Sequence, residues 1–407
     1  MLVQYAWRNI WRNTRRTTII LIAVIIGVWS MIFLGALMRG MVVEMIDNNI
    51  ATLTGHIQIH RDGYRNDPVV ENSMDDSDVL EARLKEILPP DSRYTLRLRV
   101  DGIASNARHS RGLTLVGIDP AREDKISFIG PKAISSGRYL KDDDKNGIVV
   151  GQALVENFET RLGHKLVLMS QDTQREIASR AFRIVGIFRA EMEATEKQYA
   201  FITRSSAQKM LKLDKAVSEI SIILKEHGKV NQVTEMLRTS LPATLEILTW
   251  RDLLPILIAY LDILNGFVSI WYIVVFIAMG FGIVNTTLMA VFERMREFGL
   301  LKAMGMRPWA IIKEVLAESF IILVIGMLFG NVLAFLSIWA LSGHGIDLSS
   351  WAAGMEYAGL SRIIYPALNA QDVTMANLVV LVLGLIISLY PAAKAARFTP
   401  VEALKRT

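Results

Sequence analysis

The sequence predicts an α-helical membrane protein with four transmembrane helices (one plus three) and a large α+β extracytoplasmic domain between helices 1 and 2. Three observations lead to this fold class. Hydrophobic residues make up 52% of the 407 residues and charged residues only 21%, which is typical of membrane proteins rather than of soluble or disordered chains. Four long stretches carry no charge, and basic residues concentrate beside one end of each stretch.

Each of the four uncharged stretches is long enough to cross a bilayer, which needs about 20 apolar residues. They contain 22, 30, 28 and 21 residues and lie between Arg16 and Arg39, Asp262 and Glu293, Glu318 and Asp347, and Asp372 and Lys394. We predict transmembrane helices at 19–41, 308–341 and 376–393, and a stalk with a transmembrane helix at 256–292. The first segment is too long for the core of a signal peptide, so we interpret it as an uncleaved anchor.

The distribution of basic residues predicts the orientation. The tail 1–18 has four basic residues and no acidic residue, the stretch 293–318 has five basic and four acidic residues, and the tail 394–407 has four basic and one acidic. Both termini and the connection between helices 2 and 3 are therefore expected in the cytoplasm. The segments 42–255 and 342–375 are expected outside. The net charge of +5 then reflects topology and requires no nucleic-acid partner.

The segment 42–255 shows the patterns of an α+β domain. Alternating or β-branched segments predict strands at 56–60, 94–100, 113–118, 147–150, 165–168, 182–188 and 217–224. Helical patterns occur at 79–88, 152–162, 205–213 and 230–241. This order suggests a βαβ-type core that is interrupted by a more β-rich insertion near 131–200.

Motifs for catalysis or for metal binding are weak in this sequence. The chain has no cysteine, which excludes thiolate zinc sites and cysteine nucleophiles. It has no G-x-x-x-x-G-K-[ST] motif and therefore no P-loop for ATP. His56 and His60 share a strand face without a third ligand, and the acidic run 142–144 lacks EF-hand spacing. We interpret both as solvated surface and predict no catalytic, cofactor or metal residue.

The segment 1–18 predicts an amphipathic helix on the cytoplasmic membrane surface. Four arginines lie near one helical face with two tryptophans between them: Arg8, Arg12, Arg15 and Arg16, with Trp7 and Trp11. This pattern is typical of a helix that contacts membrane lipids through anionic headgroups. Plain positive-inside anchoring is the alternative interpretation.

The segment 293–307 mixes charged and apolar residues between two long helices. From Val291 the sequence is VFERMREFGLLKAMGMR, and it strongly resembles the cytoplasmic signature of FtsX-like and MacB-like (type VII) ABC transporter permeases. Other motifs also resemble this family: YPAAKAAR at 390–397 and PVEAL at 400–404 match its C-terminal end, and GRYL at 137–140, GIVVG at 147–151 and FRIVG at 182–186 match its extracytoplasmic domain.

The resemblance implies a particular mode of action. Such permeases work as dimers, homomeric or heteromeric, and each subunit binds a separate cytoplasmic ABC ATPase. ATP and Mg²⁺ would lie on that ATPase, so this chain would be a membrane subunit and not an enzyme. Closure of the ATPase pair would be transmitted through long helices to the exterior domains (mechanotransmission). The implied location is a bacterial inner membrane.

We predict that 293–307 is the segment that couples the permease to the ATPase. Mixed charges and an apolar face suit a groove on a partner, and glycines allow close approach or turns. The candidate coupling residues are Glu293, Arg294, Arg296, Glu297, Phe298, Gly299, Leu301, Lys302 and Gly305, with Leu300 and Met304 on the apolar face. Without the resemblance, an ordinary charge cluster beside the membrane is an equal alternative.

The third apolar segment contains two further features. Gly326-x-x-x-Gly330 is a helix-packing motif, and a contact with a second subunit is one interpretation of it. Glu318 follows Glu314 by one helical turn. Two interpretations of Glu318 stay open, a functional group inside the membrane and a group at the inner headgroups.

Within the family, the layout looks most like lipoprotein-releasing (Lol-type) permeases. HIQIH at 56–60, followed by Asp62-Gly63-Tyr64, looks like that branch. We therefore predict release of lipoproteins or a similar lipophilic substrate, with a periplasmic carrier or adaptor as a candidate partner. Region 168–182 shows no long hook insertion, which the carrier-binding subunit of that branch would need. The alternatives are a MacB-like efflux permease that works with a periplasmic adaptor and an FtsX-like scaffold that activates cell-wall hydrolases.

Overall fold

The computed structural model describes residues 2–190, 192–347 and 363–398. The loop residues 348–362 and the motif at 400–404 lie outside these ranges. The chain folds as two compact units. One contains Glu44–Ala259, which we call the α+β domain, and the other contains the long apolar helices and is called the membrane unit.

Two helices form the N-terminal part of the chain, α1 over Leu2–Arg12 and α2 over Thr14–Asn49. The break lies at Asn13 and not at the predicted boundary after residue 18. The reason is that the Asn13 side chain accepts the backbone N–H of Arg16 at 3.5 Å and so satisfies a free donor at the start of α2. α2 also continues past the predicted end at 41, and a π-helical turn over Ile50–Thr54 follows it.

The α+β domain is built on a ten-stranded sheet. Its strands are β1 Ile57–Arg61, β2 Arg93–Ser105, β3 Ser110–Ile118, β4 Ile134–Gly137, β5 Gly147–Gly151, β6 Lys165–Gln171, β7 Ile177–Phe188, β8 Tyr199–Thr203, β9 Glu219–Ile223 and β10 Leu245–Thr249. Its helices are α3 Ser77–Ile87, α4 Pro120–Glu123, α5 Gln152–Asn157, α6 Glu193–Gln198, α7 Arg204–Met210, α8 Val230–Ser240 and α9 Trp250–Leu253.

The strand order explains how the helices connect the sheet. It is β10-β1-β9-β2-β3-β8-β5-β7-β4, and β6 pairs with β2 and β7. Because β9 lies between β1 and β2 and is antiparallel to both, β1-α3-β2 is a split βαβ unit. β9-α8-β10 forms a second split unit around β1. Strands β4 to β8 extend this sheet. Residues of β5 to β8 pack with residues of β2 and β3 in an apolar core that contains Phe158 and Phe182.

A buried arginine lies at the centre of the α+β domain. Arg97 is 1% exposed, and its guanidinium pairs with Glu123 at 2.7 Å and with Glu219 at 2.6 Å. It also donates a hydrogen bond to the carbonyl of Leu53, whose backbone φ is 89°. Burial opposes the positive charge, but the two carboxylates outweigh burial and raise the pKa of Arg97. The cluster ties the turn after α2 to β2, β9 and α4.

The C-terminal part of the membrane unit consists of α10 Pro255–Glu293, α11 Met295–Ala303, α12 Pro308–Ser342 and α13 Ala370–Arg397. With α2, the described residues contain four helices that are long and apolar enough to cross a membrane. The predicted one-plus-three order is confirmed. α13 begins before the predicted residue 376 because the Asn369 side chain caps it and accepts the N–H of Gln371 at 3.0 Å.

Small and polar side chains hold the long helices together. A Cβ built on Gly326 would lie 2.5 Å from Cγ1 of Val24, and one built on Gly330 would lie 2.8 Å from Cβ of Val28. Both glycines therefore contact α2 of the same chain, so the interpretation as a contact with a second subunit does not hold at these positions. The amides of Asn331 and Asn377 bond reciprocally at 2.8 and 3.0 Å and join α12 to α13. Arg39 and Asp372 form an ion pair that joins α2 to α13.

We expect Gly330→Ile to destabilise the membrane unit. The added side chain would overlap Val28, and overpacking of a close contact typically costs about 1–3 kcal/mol. Thermal unfolding of the purified full chain in detergent measures the effect. Gly266→Ile is the matched control, since nothing lies within 4 Å of a Cβ built on Gly266. Equal unfolding temperatures for the two variants would contradict the packing of α12 on α2.

Candidate functional site

Residues 293–307 fold as a short helix between two turns. Arg294 has a non-helical backbone (φ −100°, ψ 11°) and separates α10 from α11, which has nine residues. At the other end, Gly305 has a φ of 96°, a conformation that glycine adopts more readily than any other residue. Pro308 follows as the first residue of α12, where its fixed φ suits a helix start.

One face of α11 is buried against the membrane unit. Phe298 is 0% exposed and packs in an apolar cluster with Ile311 and Val315 of α12 and with Ala392 and Ala395 of α13. Gly299 is also buried, and Leu301 is half-buried against the same cluster. The expectation that Phe298, Gly299 and Leu301 face a partner is therefore corrected, because this chain already covers these residues.

The opposite face of α11 is open. Arg296, Leu300 and Met304 follow one another at intervals of four residues and so lie in one row along the helix. Leu300 is 55% and Met304 69% exposed. Trp309 at the start of α12 is 59% exposed. We call Arg296, Leu300 and Met304 the α11 surface.

A buried ion cluster lies where α10 ends. Arg294 is 6% exposed, and its guanidinium pairs with Glu314 and Glu318 of α12 at 2.6 Å each and with Glu297 of α11 at 3.1 Å. Asn9 of α1 donates to Glu314 at 3.2 Å and to Glu318 at 2.9 Å. We call these five residues the Arg294 cluster. The pairing of Glu318 with Arg294 and Asn9 accounts for an ionisable side chain in a long apolar helix.

Arg12 of α1 and Arg16 at the start of α2 bind the N-terminal helices to the segment 293–307. Arg12 pairs with Glu297 at 2.6 Å, and Arg16 pairs with Glu293 at 2.9 Å. Arg12 and Arg16 therefore both have a carboxylate partner within the chain. Arg8 of α1 and Arg15 of α2 are exposed, as are Trp7 and Trp11. The assignment of the four arginines to the membrane surface stays a prediction.

The C-terminal end of α13 is also fastened to α11. Lys302 donates hydrogen bonds to the carbonyls of Ala396 at 2.8 Å and Phe398 at 2.7 Å. A lysine suits this place because the last carbonyls of a helix lack partners and carry partial negative charge. Lys302 is therefore occupied inside the chain.

The charges around α11 are mutually stabilising. Burial raises the pKa of Glu297, but hydrogen bonds from Arg12 and Arg294 outweigh burial, so this pKa lies below its ordinary value. Burial lowers the pKa of Arg294, but the attraction of Glu318 and the hydrogen bonds that Arg294 donates to Glu314 and Glu297 outweigh burial and raise this pKa. Both groups are therefore charged at neutral pH.

Of the nine predicted coupling residues, Arg296, Gly305, Glu293 and Glu297 are exposed. Glu293 also pairs with Arg16 of α2, and Glu297 with Arg12 of α1. The sequence reasoning missed the role of Asn9 and Glu314. The one-turn spacing of Glu314 and Glu318 indicated a carboxylate pair, but no local pattern indicated that Arg294 would join it.

The weaker candidates in the α+β domain are structural in character. His60 is 4% exposed, and its ring nitrogens bond to the carbonyl of Ser218 at 3.1 Å and to Gln58 at 2.9 Å. The expectation of a solvated face at His56 and His60 is wrong, because both side chains are buried in the sheet. In the acidic run, Asp144 pairs with Arg138 at 2.6 Å.

Two family models match the chain. Residues 17–240 match the MacB-like periplasmic core domain, and residues 269–400 match the FtsX-like permease C-terminal domain. The first model alone covers more than half of the chain. The chain therefore belongs to the MacB-like and FtsX-like family of ABC transporter permeases, and it is a multi-pass membrane protein of the Lol/MacB type.

Individual relatives fall into two groups of transporter. The lipoprotein-releasing system transmembrane protein LolC of Xylella fastidiosa is 23% identical over 318 residues, which cover 75% of each chain. The macrolide export ATP-binding/permease protein MacB of Escherichia coli is 23% identical over an aligned length of 428 positions. The alignment covers 98% of this chain and 60% of MacB. This chain thus spans about three quarters of the LolC length and 60% of the MacB length.

Among solved structures, the periplasmic region of MacB from Actinobacillus actinomycetemcomitans is similar to 50% of this chain. The match covers 93% of that structure at 16% identity, with a TM-score of 0.34. A likeness of this size carries no argument, and the family assignment rests on the two family models.

Proposed function

We propose that this chain transmits the work of a separate cytoplasmic ATPase to its α+β domain, which lies on the other side of a bacterial inner membrane. The substrate class is lipoproteins or similar lipophilic molecules of that membrane. The working complex contains two permease subunits, and ATP and Mg²⁺ are bound by the ATPases. The similarity to LolC supports the substrate class, since the aligned region covers 75% of this chain and 75% of LolC.

The α11 surface is the observation that carries this proposal. Large exposed apolar side chains beside charged residues are typical of protein–protein interfaces, and a short helix in a groove is a recurring mode of recognition. Glu293, Arg296 and Glu297 are exposed, and their charges disfavour a location of α11 inside the hydrocarbon core of the membrane. The ATPase is the partner that the family relationship offers for this surface.

We expect Leu300→Asp and Met304→Asp each to abolish co-purification of the ATPase with the full chain. Both side chains are exposed, so the fold should survive. A central interface residue typically contributes about 2 kcal/mol or more, which corresponds to roughly a 30-fold loss of affinity. The measurement is the amount of ATPase retained on the tagged permease, together with ATP hydrolysis by the complex.

Ile177→Asp is the matched control, because Ile177 is 80% exposed but lies in the α+β domain. It should retain the ATPase. Wild-type amounts of ATPase on both α11 variants would exclude this surface as the docking site. ATP hydrolysis by the purified permease alone would contradict the assignment of hydrolysis to a separate subunit.

The orientation is open to cysteine labelling, because the chain contains no cysteine. Met304→Cys and Asp142→Cys each place a thiol at an exposed position. We expect an impermeant maleimide to label position 142 but not position 304 in intact spheroplasts, since the basic residues favour the cytoplasm for α11. Both positions should react after detergent is added. Labelling of position 304 alone in intact spheroplasts would show that the orientation is the opposite of the predicted one.

A MacB-like efflux permease is the second candidate. It is favoured by the match of MacB to 98% of this chain. The short connection between β6, which ends at Gln171, and β7, which begins at Ile177, also favours it, since a carrier-binding hook has no room there.

Proteoliposomes that contain the permease and its ATPase separate the two candidates. We expect ATP to release a triacylated lipoprotein into solution in the presence of a soluble carrier, because the lipophilic anchor is the group that the complex must extract. The same lipoprotein without acyl chains is the control. ATP-dependent transport of a macrolide without release of the acylated lipoprotein would favour the efflux function instead.

A further inference from the structure

Four long helices have one end beside α11, and each of these ends is connected to it. The chain itself joins α10 and α12 to α11. Lys302 binds the carbonyls of Ala396 and Phe398 at the end of α13. The remaining helix, α2, follows α1 after the single residue Asn13. The Arg294 cluster and the pair of Arg12 with Glu297 hold α1, and Arg16 at the start of α2 pairs with Glu293.

The core of the Arg294 cluster is more buried than the two arginine–glutamate pairs. In the pair of Arg16 of α2 with Glu293 the side-chain exposures are 15% and 41%, and in the pair of Arg12 of α1 with Glu297 they are 52% and 48%. Exposed pairs of this kind contribute little by themselves. In contrast, Arg294, Glu314 and Glu318 have side-chain exposures of 7%, 14% and 12%. A buried charge in such a group depends strongly on each of its partners.

We propose that Arg294 is a positioning residue that fastens α1 and the start of α12 to α11, so that a displacement of α11 by the ATPase also displaces α2. This inference rests on the proposed function, since it presumes that the ATPase binds the α11 surface. α2 then moves together with α11, although the two helices are far apart in the sequence. Without Arg294 and Asn9, α1 and α2 would be held here only by the pairs of Arg12 with Glu297 and of Arg16 with Glu293.

Apolar packing supports the same connection. Ala6 and Ile10 on α1 are 0% and 3% exposed, and Asn9 lies between them in sequence and bonds to both carboxylates of α12. The guanidinium of Arg294 also lies 4.8 Å from the ring centroid of Phe298, which is buried in the cluster under α11. Arg294 therefore contacts both the carboxylates of α12 and the apolar cluster that buries one face of α11.

The first test asks whether α1 stays on α11 during the ATPase cycle. The double variant Arg12→Cys and Glu297→Cys is cross-linked with a short bifunctional thiol reagent in the complete permease–ATPase complex in nanodiscs. We expect equal cross-linking with ATP and with ADP–vanadate. Cross-linking that requires one nucleotide state would show that α1 separates from α11 and would overturn the proposal.

The second test asks whether Arg294 carries the coupling to α2. Val43, near the end of α2, is 44% exposed, and Val43→Cys supplies a single reporter thiol. The measurement is the change in its maleimide reactivity when ADP–vanadate is added to the complex. We expect Arg294→Met to reduce this change by at least about 3-fold while the ATPase stays bound. Arg294→Lys, which keeps the charge but loses the forked geometry, should give an intermediate value.

Two further variants complete the second test. Asn9→Leu removes the bridge from α1 without leaving the carboxylates unpaired, so it gives the answer if Arg294→Met fails to fold. It should also reduce the change at position 43. Lys313→Met is the control, because Lys313 is an exposed basic residue beside Glu314. A change at position 43 of wild-type size in Arg294→Met or Asn9→Leu would overturn the proposal. Failure of the ATPase to bind the wild-type permease would overturn the proposed function instead.

Discussion

The membrane unit depends on the pairing of one buried guanidinium with three carboxylates. A cation as little exposed as Arg294 is tolerated only when nearby groups accept its hydrogen bonds and balance its charge. Glu297, Glu314 and Glu318 meet this requirement from two helices. Because the five donors of an arginine have a fixed planar arrangement, the ends of α10, α11 and α12 are restricted to positions that bring all three carboxylates into its plane or close to it.

The α+β domain uses the same physical device. Arg97 pairs with Glu123 and Glu219 in its interior and donates to the carbonyl of Leu53. Leu53 has a left-handed backbone and a buried side chain, so its position is fixed both by the guanidinium and by apolar packing. In both units, an arginine with several partners holds a place where a long helix ends or begins, and a lysine with one mobile ammonium group would not fix the same geometry.

The sequence predicted the parts of the fold that depend on short-range patterns. Long uncharged runs indicate spanning helices because their length is set by the bilayer, and the four helices were found at nearly the right places. α5 ends at Asn157 rather than at the predicted residue 162, since Glu159 has a φ of 45°, and β4, β8 and β10 had no recognised pattern. The pair of Arg12 with Glu297 was beyond sequence reasoning, because the two residues are 285 positions apart and similar charges occur throughout the segment.

The two faces of α11 explain why sequence alone misassigned its residues. A nine-residue helix is too short to be stable by itself, so one face must be buried in the chain, and in a segment this rich in apolar residues the pattern leaves the choice of face undetermined. The structure buries Phe298 and leaves Leu300 and Met304 open. Residues that hold α11 in the membrane unit and residues that offer a surface to a partner are therefore different residues on one helix. Substitutions on the open face should therefore weaken binding of the partner, whereas substitution of Arg294 should weaken transmission while the partner stays bound.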